Sequence, residues 1–438
     1  MTTKPIKIIG GGLAGSEAAW QAAQLGCPVQ LFEMKPQKFS PAHSSDSLAE
    51  LVCSNSLRSN APTSAVGLLK EEMRRLGSLL IRIADETAVP AGQALAVNRD
   101  EFAAKVTAAI EAHPLIEIIH EEQTELDKDS ETPIILATGP LTSEEMAESL
   151  AQLTGRERLA FYDAIAPIVS EESLNMEIIY SKSRWQDGPG DYLNCPFDKE
   201  QYLAFINALG KGDTVPLKDF EDEKYFEGCL PIEVMRARGE DTLRYGPMKP
   251  VGLRNPRTGQ DPYAAVQLRM ENKEGTMYNL VGFQTKLTYP EQKRIFRMIP
   301  GLEQVDFVRL GSIHRNTFVC APELLLPSLQ LKDSPNIYLA GQLSGVEGYV
   351  ESTAMGMLAG LNAARTLLGK AVVPPPPETA LGALIGHLTK TDPKCFQPSN
   401  VNFGLFPAWE GKVPKKLRGE KRQGISMAAL SLWQEQLL

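Results

Sequence analysis

The chain has 438 residues, a formal net charge of −9, 43% hydrophobic and 23% charged residues. That length exceeds what one core supports and predicts two or three domains of ordinary globular character, with no apolar run near the ~18 residues of a membrane span. An acidic chain is not a general nucleic-acid coat, although local basic patches still allow a nucleic-acid partner.

The N-terminus runs straight into a strand, without the charged and apolar regions of a secretory signal. Residues 6–9 form that strand and lead into Gly10-Gly11-Gly12-Leu13-Ala14-Gly15. Residues 16–25 read as a helix closed by Gly26, and 29–33 as a second strand, which completes a βαβ unit of about 30 residues. Residues 34–62, rich in Ser, Asn and Pro, read as a long loop, and a loop of that length inside a domain is usually functional. Residues 65–80 and 99–112 read as helices, the second capped by Asn98 or Asp100, and 132–139 as a strand ending in Ala137-Thr138-Gly139. Between 166 and 290 aromatics, glycines, prolines and short alternating strands dominate, with a helix at 199–209, and this predicts an inserted domain. Residues 337–341 form another strand running into glycine, 351–368 a long helix of small residues, and 374–377 a polyproline spacer before a mixed basic tail. The predicted class is α/β, one domain in two parts, 1–165 and 291–438, around a smaller α+β insert.

A lone G-x-G-x-x-G is weak evidence, but here a strand precedes it, a helix follows, and an acidic residue stands about 20 positions on. Gly10 permits the tight turn, Gly12 lets the backbone approach a pyrophosphate, and Gly15 lets helix and strand pack closely. The pyrophosphate is expected on the helix N-terminus, at Leu13 and Ala14, with Gly11 beside it and Glu33 on a ribose hydroxyl. With the two further strand-to-glycine turns, Ala137-Thr138-Gly139 and Ala340-Gly341-Gln342, the pattern resembles the glutathione-reductase-like Rossmann FAD-binding superfamily, in which a late strand closes the flavin site, often with Asp where Gln342 stands. No second glycine fingerprint appears, so NAD(P)H has no Rossmann domain of its own and visits the flavin transiently.

Six cysteines, Cys27, Cys53, Cys195, Cys229, Cys320 and Cys395, include no C-x-x-C pair. That predicts no disulfide framework, no metal site and a reducing cytoplasm. Cys229, between glycine and a Leu-Pro turn beside arginines, has the setting of a reactive thiol; a packed small residue is the alternative. Two basic patches stand out. One contains Arg236, Arg238, Arg244, Lys249, Arg254 and Arg257 against Glu233, Glu240 and Asp241; the other contains Lys412, Lys415, Lys416, Arg418, Lys421 and Arg422 against Glu420. Each reads either as a solvated surface or as a phosphate contact.

Segments 10–19 (GGGLAGSEAA), 53–58 (CSNSLR), 228–239 (GCLPIEVMRARG), 246–252 (GPMKPVG) and 341–356 together resemble the folate- and FAD-dependent tRNA (uracil-5-)-methyltransferase family. The resemblance runs over nearly the whole chain. The neighbouring family is the wobble-uridine modification flavoprotein, which shares the glycine turn but is longer at its C-terminus. The resemblance implies a cytoplasmic enzyme that takes a methylene from 5,10-methylenetetrahydrofolate and electrons from reduced FAD, and methylates C5 of the T-loop uridine (position 54 in tRNA numbering). It implies Cys229 as the nucleophile, Cys53 as a second functional cysteine near the flavin, and His314 as the ring that stacks the folate pterin. The Arg236 to Arg257 cluster, with Arg236 and Arg238, and the C-terminal lysines, with Lys415 and Lys416, would hold tRNA phosphates. A flavin disulfide reductase is the competing class, but the paired cysteine spacing it needs is missing.

Overall fold

Strand Ile6–Ile9 lies inside a six-stranded sheet ordered Gln330–Leu331, Ser334–Leu339, Ile134–Leu136, Ile6–Ile9, Val29–Glu33, Ile116–His120. This is a computed structural model, and it describes residues 4–155, 159–184, 190–216, 230–409 and 411–437. All pairings are parallel except that of the short edge strand Gln330–Leu331. The central strands read IKII and IIL and are buried almost throughout, as a parallel sheet covered on both faces requires.

Helix Leu13–Gln24 covers one face and is crossed by helix Tyr349–Leu367. Small residues set that crossing: a Cβ on Gly356 would lie 2.1 Å from the Ala14 carbonyl oxygen, and one on Gly360 2.3 Å from that of Ala18. The backbones therefore touch, and the two parts of the Rossmann unit, separated by some 300 residues, share one core.

The helix expected at 65–80 is two helices, Ala65–Arg75 and Leu79–Glu86, because Gly77 turns at φ +76° and Ser78 caps the second by accepting from Ile81 N–H. Asn98, not Asp100, caps Arg99–Glu111. The long loop contributes one strand, Ser56–Ser59, to a small sheet with Ala94–Val97 and Ala88–Val89. The C-terminal tail is ordered helix: Ala380–Lys390 and Arg418–Leu437 return to the Rossmann core, with Leu384, Leu430 and Trp433 buried.

The inserted unit is a six-stranded sheet ordered Tyr180–Ser181, Tyr192–Phe197, Ala264–Met270, Met277–Leu280, Ile168–Ser170, Phe307–Arg309, antiparallel at every pairing. One face, with Cys195, Phe197, Val266, Leu268 and Leu280, packs on Tyr202, Phe205, Phe283 and Phe296. The cross-strand row Tyr192, Arg269, Asn279, Ile168, Arg309 lies on the other face. Helix Tyr289–Phe296 and strand Phe307–Arg309 belong to this core and sheet, so the insert's packing runs past residue 290. The antiparallel pair Leu159–Ala164 and Ile313–Phe318 connects the two units.

Glu72 joins three helices at the Rossmann core. Its carboxylate accepts from Ala380 N–H at 2.6 Å, Leu381 N–H at 2.9 Å and Ser426 Oγ at 2.5 Å. Burial outweighs these hydrogen bonds and pushes the carboxyl up from 4.5 to about 7. A raised folded-state value contributes stability that is full below about pH 4.5 and lost as pH rises through 7. Wild-type stability is therefore expected to fall by roughly 3 kcal/mol across that window relative to Glu72→Gln. Urea melts of the two proteins at several pH values check this; parallel pH profiles would contradict it.

Candidate functional site

The glycines at the turn have different jobs. Gly10 sits at φ +102°, and a Cβ there would lie 2.6 Å from the Ala137 carbonyl oxygen; one on Gly15 would lie 1.8 Å from that of Gly10. These two are required by the protein's own packing. A Cβ on Gly12 would meet nothing within 4 Å, although Gly12 is the N-cap of helix Leu13–Gln24 and no side chain caps that end. Open space in front of an uncapped helix N-terminus is a cradle for a phosphate, and the residues present fit the dinucleotide the motif implies.

That space belongs to a cleft of about 1130 Å³, counting its open mouth, lined by Gly10–Ala14, Glu33, the turn 137–143, Gly341, Gln342 and Tyr349. All the proposed cofactor residues thus converge except Gly15, which lies beneath the turn. Glu33 is buried, and its carboxylate accepts from Gly11 N–H at 2.8 Å and Lys35 N–H at 3.0 Å. It fixes the turn as well as facing the cleft. Gly341 turns at φ +74°, while Gln342 Nε2 donates to Glu347 Oε2 at 2.5 Å; its amide is held within the protein. The sequence alone did not single out His43, which also lines the cleft and lies 2.6 Å from Ser40 Oγ. Burial first, and the nearby Lys35 ammonium second, hold its imidazole below the usual range.

Cys53 lies where the two units meet. Its N–H donates to the Tyr349 hydroxyl at 2.7 Å, and Ser54 N–H donates to the same oxygen at 3.2 Å. From the inserted unit, Arg309 Nη2 donates to the Cys53 carbonyl at 3.0 Å, and Arg269 Nη2 to Ser54 Oγ at 2.7 Å. A bulge between Phe307 and Arg309 moves the strand from the apolar face to the polar one and delivers Arg309, a known use of bulges beside functional sites. Arg99 completes the junction through Glu271 at 2.8 Å. Farther along the same segment, the buried Lys70 ammonium donates to the carbonyls of Leu57 and Ser59 at 2.7 and 2.8 Å; burial, then the Arg58 charge, push it down to about 7. Nothing in the local sequence around Cys53 announces these partners, which come from other strands and helices.

Cys229 falls outside the described residues. His314 pairs with Asp163 in the connecting strands, and its side chain is likewise outside the description. Arg236 Nε donates to the Ile206 carbonyl, and Arg238 is the C-cap of helix Ile232–Ala237; neither is brought to the cleft wall. Lys415 and Lys416 line a separate surface groove with Phe403 and Trp409. Their neighbour Arg422 is buried, 4.0 Å from the Trp409 ring centroid, and belongs to the packing of the tail. Among the described residues no helix is long and apolar enough to cross a membrane, and no group of three His, Cys, Asp or Glu side chains is placed to hold a metal ion.

The sequence and the fold both match known proteins. The profile of the family described as "Glucose inhibited division protein A" matches residues 5–371. A Desulfotalea psychrophila protein named methylenetetrahydrofolate–tRNA-(uracil-5-)-methyltransferase TrmFO is 70% identical over 428 residues, covering 98% of this chain and 96% of that protein. A Geobacter sulfurreducens protein of the same name is 57% identical, covering 98% and 99%. Among solved structures, Aquifex aeolicus GidA superposes with a TM-score of 0.73 at 17% identity, covering 99% of this chain and 74% of that one.

The distinction among the glycines is testable. Gly12→Val is expected to give a folded but colourless protein, whereas Gly15→Ala, forced against backbone, is expected to lose soluble fold. Circular dichroism and the visible flavin band of the purified proteins check both; a yellow Gly12→Val protein would remove that residue from the cradle.

Proposed function

The chain belongs to the glucose inhibited division protein A family and, within it, to the methylenetetrahydrofolate–tRNA-(uracil-5-)-methyltransferases, and from that premise we propose that it methylates C5 of the T-loop uridine (position 54) of tRNA. The carbon donor is 5,10-methylenetetrahydrofolate, the resident cofactor is FAD, and NAD(P)H is the reductant. The observation that carries this reading is the seam at Cys53, where a residue of the flavin cleft wall, Tyr349, and a residue of the inserted unit, Arg309, hold the two ends of one cysteine's backbone.

The residues fit the chemistry the family requires. Uracil C5 is a poor nucleophile until a thiolate adds at C6: a C–S bond forms, and the C5–C6 pair becomes an enolate that attacks the methylene carbon as one of its C–N bonds to folate breaks. The C5 proton leaves as the second C–N bond breaks and tetrahydrofolate departs, which leaves an exocyclic methylene on C5. A hydride added to that carbon, with breaking of the C–S bond, gives the methylated base and the free thiolate. Cys229 takes the nucleophile's role by family resemblance, with Cys53 the second functional thiol. When bound, FAD supplies the two-electron reduction that completes the methyl group. The glycine turn and Glu33 hold the dinucleotide, with Gly341 and Gln342 closing its far side. His314 is the residue for the pterin ring, and Arg236, Arg238, Lys415 and Lys416 are those for tRNA phosphates, contacts that position the RNA while the target base is unstacked.

Two readings compete. The wobble-uridine enzyme shares the family profile, but this chain spans about three quarters of the solved relative at 17% identity, against nearly all of the uracil-5 methyltransferases at 54–70%. A disulfide reductase needs an exchanging cysteine pair; the five described cysteines are all free, and burial pushes the Cys27 and Cys195 thiols up, which keeps them protonated.

Incubation of the purified protein with labelled methylenetetrahydrofolate, NADPH and unmodified tRNA is expected to label the T-loop uridine. Label confined to the wobble position, or none, would contradict the reading. Cys229→Ser is expected to lose transfer while keeping flavin colour and tRNA affinity; retained transfer would clear Cys229 of its role. Reversing the charge of Lys415 and Lys416 is expected to weaken tRNA binding and flatten its salt dependence by about one unit per lost phosphate contact, measured by titration at several salt concentrations.

A further inference from the structure

Among the described residues Ala49, Arg58 and Leu329 are the non-glycine positions with a left-handed backbone, and Arg58 stands at φ +61°. An arginine gains nothing locally from that conformation, which only glycine and, less readily, asparagine and aspartate adopt. Here it is imposed from three sides. The Arg58 N–H donates to Ser56 Oγ at 3.1 Å. The fully buried Lys70 ammonium donates to the carbonyls of Leu57 and Ser59, the residues on either side. The guanidinium Nη2 donates to Oε1 of Glu351, whose side chain is also fully buried. Buried charges are costly, and backbone strain held in place by two of them marks a position where the side chain has to be aimed.

That side chain lies at the rim of the flavin cleft. Val52 and Tyr349 both line the cleft, and the chain runs from each of them to this point, forward to Arg58 and back to Gly348. A Cβ on Gly348 would lie 3.4 Å from Arg58 Nη2, so the guanidinium rests against the start of helix Tyr349–Leu367. The Arg58 side chain is 37% exposed, and its Nε and Nη1 have no partner among the described residues. Its neighbours differ. Arg99 holds Glu271 and the Leu51 carbonyl, Arg269 holds Asn55 Oδ1 and Ser54 Oγ, and Arg309 holds the Cys53 carbonyl. Arg58 keeps one edge of its fork free, facing outward from a fixed backbone.

We propose that Arg58 binds a glutamyl carboxylate of the folate co-substrate at the mouth of the flavin cleft, through a bidentate pair from its free edge. The proposal rests on the reading of the chain as a folate-dependent enzyme and adds to it a site for the folate tail, apart from that for the ring. A reduced folate is a flat pterin joined through a p-aminobenzoyl spacer to a glutamate. With the pterin on the flavin, the spacer carries the carboxylates out to the rim. A guanidinium fork matches a carboxylate with two parallel N–H···O bonds. Glu351 offsets the charge of the group without occupying its free edge, so the contact is directional and adds little long-range attraction for a polyanion. RNA phosphates are drawn instead to cations without such a partner.

The test uses FAD-loaded full-length protein, an unmodified tRNA transcript and two carbon donors: 5,10-methylenetetrahydrofolate and its tail diamide, in which both carboxylates are amides. For the wild type, KM for the diamide is expected to exceed KM for the folate by about ten-fold or more. Arg58→Asn keeps the left-handed backbone accessible and is expected to raise KM for the folate to that of the diamide, which abolishes the ratio, while KM for tRNA stays unchanged. If that variant does not fold, Arg58→Lys keeps a cation beside Glu351 but loses the fork, and its ratio is expected to fall as well. A merely structural role for Arg58 would raise both KM values together and leave their ratio as in the wild type, and that result would overturn the site. Equal KM values for the two donors in the wild type would do the same, as would a raised KM for tRNA with the donor ratio intact. Failure of the wild type to transfer a methyl group from either donor would overturn the functional reading and the site with it.

Discussion

Two helix backbones in contact, at Ala14 against Gly356 and Ala18 against Gly360, hold together everything else in the molecule. The first helix begins at the glycine turn, and the second begins at Tyr349. Because they touch without side chains between them, Gly341 comes to rest against Ala14 and the Tyr349 hydroxyl reaches the backbone of Cys53. Separating the helices by even one methyl group moves the far wall of the cleft relative to the near one, and close-packed interiors absorb such changes poorly.

From that contact the site is assembled in two steps. The Rossmann unit forms the cradle, with Gly12 open and Gly10 and Gly15 closed by packing. The inserted unit then contributes a polar sheet face, so that Arg269 and Arg309 meet residues 53–55, and Glu271 meets Arg99, across the seam. The same sheet buries aromatic side chains on its opposite face, and this division lets a small antiparallel sheet serve as both a core and a wall. Buried charges at other junctions, Glu72 among three helices and Lys70 under the strand after Cys53, are each met by several hydrogen bonds, as burial demands.

What was legible in the sequence follows from how local each requirement is. The glycine turn is visible because its steric demands fall within a dozen residues, and Cys53 because its segment is distinctive. Tyr349, Arg269 and Arg309 are not, since cross-strand rows and a bulge bring them together over hundreds of positions. The break at Gly77 was hidden by an apolar pattern that continues across it. The C-terminal helices were obscured by a tail whose charges read as surface; Arg422 packs on Trp409, and Ser426 hydrogen-bonds Glu72, more than 300 residues away. The basic patch was countable in sequence, but only the structure separates Arg244, which has an acidic partner, from Lys249, Arg254 and Arg257, which have none among the described residues.

Helix contact at Gly356 builds the flavin cleft from two distant parts of the chain. Titration of apo Gly356→Ala with FAD, read together with circular dichroism, measures this. A Cβ at 356 is forced against the Ala14 backbone, so either loss of soluble fold, as for Gly15→Ala, or at least ten-fold weaker flavin binding is expected, although residue 356 lies outside the cleft lining. A folded Gly356→Ala protein with wild-type flavin affinity is the opposite result.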